Sequence, residues 1–137
     1  GLAPFISILY DFSIWEQYDK VILAHCTREA EELTYQETIN SFFNHEYYGE
    51  LVKDKLVYVK ILTRDTKDGD LYGRITTLIE NGELEKHVNI PLTISDSRIM
   101  ICGNPQMVDD TRKLLATKGL TISKRANPGN MAVENYW

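Results

Sequence analysis

The chain is predicted to fold as an α/β domain built on a mostly parallel, doubly wound sheet. Three segments, Lys20 to His25, Lys55 to Leu62 and Arg98 to Cys102, are rich in apolar residues, as expected of strands covered on both faces. Helical patterns separate them, and strands that alternate with helices favour parallel pairing through right-handed crossovers. Met131 to Tyr136 is a candidate last strand. The length of 137 residues, 43% of them hydrophobic and 26% charged, is typical of one globular domain.

The helices are predicted from the spacing of apolar residues and from proline and glycine positions. Pro4 to Tyr10 indicates a helix start, because proline is tolerated in the first turn. From Thr27 to about Asn44, apolar residues recur every three or four positions and glutamates fill the outer face, which predicts one amphipathic helix. A short helix is predicted at Ile75 to Glu80. A helical stripe that begins at Met107 ends at Gly119.

Composition excludes several classes of function. The net charge of −5 and the pI near 5.2 disfavour nucleic acid as a partner, because phosphate-backbone binding needs a basic surface. Cys26 and Cys102 are far apart and the histidines are not clustered, so neither a zinc site nor a disulfide framework is predicted, and a reducing cytoplasm is the expected location. No segment approaches the roughly 20 apolar residues of a membrane-spanning helix, so no membrane association is expected.

Polar and basic residues follow each of the first three predicted strands. In a doubly wound sheet, ligands bind outside the carboxyl ends of the strands, where helix N-termini attract anions. The residues at these positions are Thr27 and Arg28, Thr63 and Arg64, residues 103–106, and Arg74 further along the chain. Taken singly, each arginine is better explained as a solvated surface residue. Their shared placement favours a common phosphate ligand, which the planar guanidinium group suits.

Six sequence strings occur in order along the chain: GLAPFISIL, LAHCTREAEELTY, ILTRDT, LYGRITTLIENGELE, MICGNPQMVDDT and VENYW. Together they resemble the signatures of bacterial ferredoxin/flavodoxin–NADP(H) reductases, across essentially the whole chain. The resemblance implies that residues 1–137 are the C-terminal NADP(H)-binding domain, a nucleotide-binding fold of the ferredoxin-reductase type. Gly1 would belong to a Gly-Thr-Gly turn after an upstream strand. The chain is therefore expected to lack that first central strand and the N-terminal FAD-binding β-barrel.

The resemblance also implies roles for individual residues at the nucleotide. Arg28 and Arg64 would bind the adenosine 2′-phosphate beside Thr27 and Thr63, and Arg74 would complete the basic pocket. This pocket would select NADP(H) over NAD(H). The remaining residues expected to bind NADP(H) are Gly103, Asn104, Pro105, Gln106 and Met107, with Gly1, Leu2, Ala3 and Pro4 from the first turn.

Four residues are implied to act near the reacting rings. Cys102 would lie against the nicotinamide, although a small buried residue at a strand end is an equally good reading. Glu134 would place a carboxylate near the nicotinamide site. Tyr136 and Trp137 would cover the flavin, whereas terminal aromatic residues in an arbitrary protein more often serve packing.

The function implied by the resemblance is hydride transfer between NADPH and FAD, with single electrons passed to or from ferredoxin or flavodoxin. Because FAD would be held mainly by the N-terminal FAD domain, residues 1–137 alone are expected to be inactive. Two alternatives stay open. The first is an NADH-dependent reductase component of an oxygenase, which the arginine set disfavours. The second is a nucleotide-binding module without redox function, which Cys102 and the terminal tail disfavour.

Overall fold

The computed structural model describes residues 2–124 and 129–135. The chain divides into two units, one of residues Leu2–Arg74 and another that contains the residues from Ile75 onward. Every strand pair in the described residues is parallel, and helices separate most of the strands along the chain. The predicted α/β fold with parallel pairing is thereby confirmed.

The sheet of the first unit is built from β1 (Val21–Thr27), β2 (Leu56–Leu62) and β3 (Leu71–Tyr72), in that spatial order. Thr27 is the register partner of Leu62, and Leu62 is in turn the partner of Tyr72. The last residues of all three strands therefore lie level. Whatever follows each strand is delivered to the same edge of the sheet.

Four α-helices pack around this sheet: α1 (Ala3–Leu9), α2 (Phe12–Gln17), α3 (Gln36–Ser41) and α4 (Gly49–Val52). Pro4 lies in the first turn of α1, as predicted. Asp11 caps α2 by accepting a hydrogen bond from the Ser13 amide at 3.0 Å. Trp15 is buried in the core and donates its indole N–H to the Leu9 carbonyl at 2.9 Å.

The prediction of one helix from Thr27 to about Asn44 is wrong. Residues Ala30–Glu32 form a single 3₁₀ turn, α3 begins only at Gln36, and a second 3₁₀ turn covers Phe42–Asn44. Tyr35 directly precedes α3 and has a φ of +64°, a left-handed conformation that interrupts a helix. The apolar periodicity still describes the core, because Leu33, Ile39 and Phe42 are buried. Tyr35 and Phe43 belong to the same apolar pattern but are exposed, so periodicity identified only part of the buried face and missed the break in the backbone.

The second unit contains α5 (Ile75–Glu80), α6 (Glu83–Val88), β4 (Ile99–Gly103), α7 (Pro105–Thr117) and β5 (Met131–Asn135). Strands β4 and β5 form a parallel sheet of their own, and Ile122 makes an isolated parallel bridge to Met131. The core of this unit contains Ile79, Ile101 and Leu115. The predicted strand at residues 98–102, the predicted helix at 75–80 and the helix before Gly119 are confirmed.

No helix within residues 2–124 and 129–135 is long and apolar enough to cross a membrane. Within the same ranges, no three side chains of His, Cys, Asp or Glu are grouped so that they could hold a metal ion.

Candidate functional site

Arg28 and Arg64 lie side by side at the carboxyl edge of the three-stranded sheet. The β1–β2 ladder continues beyond the strands themselves, since the Thr63 amide donates to the Thr27 carbonyl at 2.9 Å and the Arg64 amide donates to the Arg28 carbonyl at 2.9 Å. Both arginine residues are exposed. Two guanidinium groups on adjacent, hydrogen-bonded backbone segments form a basic site open to solvent.

Arg74 belongs to the same edge. The Gly73 amide donates to the Leu62 carbonyl at 2.9 Å, which extends the β2–β3 pairing by one residue. Arg74 therefore follows β3 at the same offset at which Arg64 follows β2. The structure thus places all three predicted arginines after neighbouring parallel strands of one unit, and Arg74 is also exposed.

Two side chains fasten the loop that carries Arg28. The Thr27 hydroxyl donates to the Glu29 carbonyl at 2.9 Å. The Asp65 carboxylate accepts from the Ala30 amide at 2.8 Å, while the Asp65 amide donates to the Arg28 carbonyl at 3.2 Å. These bonds tie the loop after β1 to the loop after β2, so the relative position of Arg28 and Arg64 is held by more than the strand ladder.

The carboxylates around these arginines are a part of the site that the sequence does not predict. Glu32 forms an ion pair with Arg28 at 3.0 Å, and its other carboxylate oxygen accepts from the Glu29 amide at 3.0 Å. The hydrogen bond from Arg28 holds the pKa of Glu32 below its ordinary value, and the charge of Arg64 adds to this effect. The Glu29 and Glu32 pair has the spacing of a capping box, a sequence signal that marks the start of a turn rather than the outer face of a helix.

A second acidic contact lies beside this ion pair. A hydrogen bond between the Glu29 and Glu31 carboxyl groups raises the pKa of Glu29, and the nearby charges of Asp65 and Glu32 raise it further. The arginines are therefore bordered by carboxylates, which offset part of their positive charge.

The segment after β4 offers backbone amides to a ligand. The Asn104 side chain accepts from the Met107 amide at 2.8 Å and caps α7, a helix of 13 residues with Pro105 in its first turn. Gln106 is exposed and donates its side-chain amide to Asp110 at 2.8 Å. The positive end of α7 thus directly follows β4, as in sites for anionic ligands.

Gly103 allows the Met107 side chain to approach the backbone closely at this turn. It has a φ of +157°, and a Cβ atom at its position would lie 2.3 Å from Cε of Met107. The Met107 side chain therefore packs directly over the Gly103 backbone, and any larger residue at position 103 would have to displace it.

The predicted residues near the reacting rings are only in part described. Cys102 is buried at the end of β4, and its register partner on β5 is Glu134, so the two backbone positions are adjacent. The Glu134 side chain, Tyr136, Trp137 and Gly1 lie outside what the structure describes. Leu2, Ala3 and Pro4 form the start of α1 in the first unit, where Leu2 is buried and its carbonyl accepts from the Phe5 amide at 2.9 Å.

His25 is part of the structure beneath the basic edge rather than a candidate ligand. Its Nδ1 atom lies 3.0 Å from the Tyr58 hydroxyl on the neighbouring strand. Burial lowers the pKa of His25 to about 4 and raises the pKa of Tyr58 to about 12. Both side chains are therefore neutral near pH 7 and add no charge to the sheet.

Parallel strands followed by basic side chains in one unit, and by a capped helix N-terminus in the other, are features of dinucleotide-binding domains. The model of the family described as "Oxidoreductase NAD-binding domain" matches residues 1–113. The chain belongs to this family.

Relatives of known identity refine this assignment. The chain is 39% identical to a ferredoxin–NADP reductase of Azotobacter vinelandii over 98% of its own length and 52% of that protein. It is 37% identical to a flavodoxin/ferredoxin–NADP reductase of Escherichia coli over 100% of its length and 53% of that protein. The chain therefore spans about half the length of the relatives it matches. The predicted resemblance to bacterial ferredoxin/flavodoxin–NADP reductases is confirmed.

A solved structure supports the same assignment. The crystal structure of a ferredoxin NADP⁺ reductase from Neisseria gonorrhoeae with bound FAD and NADP matches with a TM-score of 0.87 and 33% identity. The match covers 100% of this chain and 52% of that one.

Proposed function

We propose that this chain is the NADP(H)-binding domain of a reductase that transfers a hydride between NADPH and FAD and exchanges single electrons with ferredoxin or flavodoxin. The observation that supports this most directly is the placement of Arg28 and Arg64 on hydrogen-bonded backbone segments at the carboxyl edge of the sheet. Ferredoxin and flavodoxin are proposed as electron partners because they appear in the names of the relatives.

The arginines provide the nucleotide selectivity in this proposal. Arg28 and Arg64 bind the 2′-phosphate of the adenosine, Thr27 and Thr63 lie beside them, and Arg74 completes the pocket. A guanidinium group makes paired charge-assisted hydrogen bonds to phosphate, whereas the neutral 2′-hydroxyl of NAD(H) accepts much weaker ones. The same edge would therefore discriminate between the two cofactors by charge.

The residues that follow β4 are proposed to bind the diphosphate and the nicotinamide. Backbone amides at the start of α7 and the Gly103 turn line the path of the diphosphate and nicotinamide, with Met107 packed over the turn. Cys102 contacts the nicotinamide ring and sets its distance from the flavin, and Glu134 on the adjacent strand lies nearby.

FAD, when bound, accepts or returns the hydride at its isoalloxazine ring. In this proposal it is held mainly by an N-terminal FAD domain of the same polypeptide, and Tyr136 and Trp137 cover its ring. The contribution of residues 1–137 is to orient the nicotinamide. Hydride transfer requires the nicotinamide and flavin rings to be aligned at about 3–3.5 Å, and no residue here needs to act as an acid or base in that step.

We also propose the finer fold predicted above, a doubly wound sheet that lacks its first central strand in these residues. The parallel pairing of the strands within each sheet supports it. One NADP(H)-binding domain over residues 1–137 and a cytoplasmic location are likewise proposals.

The intact protein is expected to oxidise NADPH, with an artificial electron acceptor, at a far higher kcat/KM than NADH. Residues 1–137 alone, mixed with NADPH, free FAD and the same acceptor, are expected to give no turnover above that of free FAD, because the domain proposed to hold most of the FAD is not part of these residues. Steady-state assays of both proteins with both nucleotides measure this.

Two results would contradict the proposal. Equal or reversed nucleotide preference of the intact protein would favour an NADH-dependent reductase component of an oxygenase. Nucleotide binding without turnover in the intact protein would favour a binding module without redox function.

A further inference from the structure

Glu32 makes two contacts that converge on the loop after β1. One carboxylate oxygen accepts from Nη2 of Arg28 at 3.0 Å, and the other accepts from the Glu29 amide at 3.0 Å. The second bond closes the turn Ala30–Glu32, whose first amide is bonded to Asp65. Glu32 therefore joins the Arg28 guanidinium to the backbone of its own loop.

Arg28 would otherwise have little to restrain it. Its side chain is 62% exposed, and the described residues give it no side-chain hydrogen bond other than the one to Glu32. A long exposed side chain loses conformational freedom when it binds a ligand, which weakens binding unless the side chain is already held in place. An ion pair made before the nucleotide arrives removes part of that entropy cost.

The ion pair leaves Arg28 able to bind a phosphate as well. A guanidinium group has several N–H donors spread over three nitrogen atoms, and Glu32 occupies Nη2. The remaining donors can face the same ligand as Arg64, whose amide is bonded to the Arg28 carbonyl.

We propose that Glu32 is a positioning residue for NADP(H), which holds Arg28 in the orientation that the 2′-phosphate requires. This inference rests on the proposed function, because it assigns the phosphate to Arg28 and Arg64. It makes the selectivity for NADP(H) depend on a carboxylate, although a carboxylate by itself repels a phosphate.

Repulsion by Glu32 would weaken NADP⁺ binding, whereas positioning of Arg28 would strengthen it. A variant without the carboxylate therefore distinguishes the two effects. If repulsion dominated, Glu32→Ala would raise the affinity for NADP⁺. If positioning dominates, Glu32→Ala lowers it. In the intact protein we expect a loss of about three- to tenfold in NADP⁺ affinity, the size expected for freeing one long side chain. The affinity for NAD⁺ should change by less than about twofold, because NAD⁺ does not use Arg28 in this way.

Glu31→Ala is the matched control. It removes a negative charge from the same turn, and its carboxyl group contacts Glu29 rather than Arg28. It is expected to leave NADP⁺ affinity unchanged or slightly higher. The titrations are made at low ionic strength, because about 0.5 M salt would screen the exposed Arg28–Glu32 ion pair as well as the repulsion.

A double-mutant cycle tests whether Glu32 acts through Arg28. When Arg28 is already alanine, Glu32→Ala is expected to cause no further loss of NADP⁺ affinity, since there is no guanidinium left to position. Equal losses in both backgrounds would overturn the inference, as would parallel losses of NADP⁺ and NAD⁺ affinity.

Glu32→Gln keeps one acceptor oxygen, so its NADP⁺ affinity should fall between those of the wild type and Glu32→Ala. Tighter NADP⁺ binding than in the wild type would show that repulsion dominates and would overturn the inference too.

The binding measurements distinguish a failure of the positioning role of Glu32 from a failure of the proposed function. A wild-type protein with no preference for NADP⁺ over NAD⁺ overturns both. A wild-type protein that prefers NADP⁺, together with a Glu32→Ala variant that binds like Glu31→Ala, overturns the positioning role alone.

Discussion

Replacing both Arg28 and Arg64 with alanine is expected to lower the affinity for NADP⁺ by about 10²- to 10⁴-fold. Each charge-assisted hydrogen bond to a phosphate contributes about 1.5–3 kcal/mol, and the variant removes the donors of two side chains that lie on hydrogen-bonded backbone segments. Isothermal titration of the intact protein with NADP⁺ and with NAD⁺ measures the change. NAD⁺ affinity should stay nearly constant, because its 2′-hydroxyl is uncharged.

The control is a variant that loses the same amount of positive charge elsewhere. Arg98→Ala combined with Lys113→Ala removes two exposed basic side chains that are remote in sequence from the predicted phosphate site. It should bind NADP⁺ nearly as the wild type does. If both double variants weakened NADP⁺ binding equally, the arginines after β1 and β2 would act through net charge only, and the specific site would be refuted.

Trp15→Ala is expected to lower the free energy of unfolding of the first unit by about 3–5 kcal/mol. Trp15 is 1% exposed and contacts the core that also contains Ile39 and Phe42. Its removal leaves a cavity and deprives the Leu9 carbonyl of the indole N–H that bonds it at 2.9 Å. Urea unfolding of the intact protein, followed by circular dichroism, should show a clearly lower midpoint.

Tyr47→Ala provides the comparison for this stability prediction. Tyr47 is 68% exposed, so the loss of its ring should change the free energy of unfolding by less than about 1 kcal/mol. An unfolding midpoint for Trp15→Ala that equals that of Tyr47→Ala would contradict the assignment of Trp15 to the core.

The sequence alone predicts the buried strands, because each is recognisable from its own run of apolar residues. Strands β1, β2 and β4 are nearly continuous apolar runs, and a run covered on both faces is recognisable without knowing its neighbours. The placement of Arg28 and Arg64 follows from the same signal, because whatever comes after parallel neighbouring strands is brought to one edge.

Elements that depend on distant partners were not predictable in this way. Strand β3 has two residues, Leu71 and Tyr72, and its pairing with β2 is prolonged by the Asp70 carboxylate, which accepts from the Lys60 amide at 2.8 Å. The 3₁₀ turn that replaces the start of the predicted helix is likewise bonded to Asp65, a residue from another loop. Contacts of this kind leave no periodic signal.

The carboxylates around the site illustrate the same limit. A glutamate on a predicted amphipathic helix is ordinarily assigned to the solvated face, and the sequence places Glu32 there. Its contacts with Arg28 and with the Glu29 amide become visible only once the helix is known to be a single closed turn.

The central claim is that Arg28 and Arg64 together bind the 2′-phosphate of the nucleotide. A crystal structure of the intact protein with adenosine 2′-monophosphate tests it most directly. We expect the phosphate oxygens to lie about 3 Å from guanidinium nitrogens of both Arg28 and Arg64. A phosphate bound elsewhere, with both guanidinium groups facing solvent, would contradict the account.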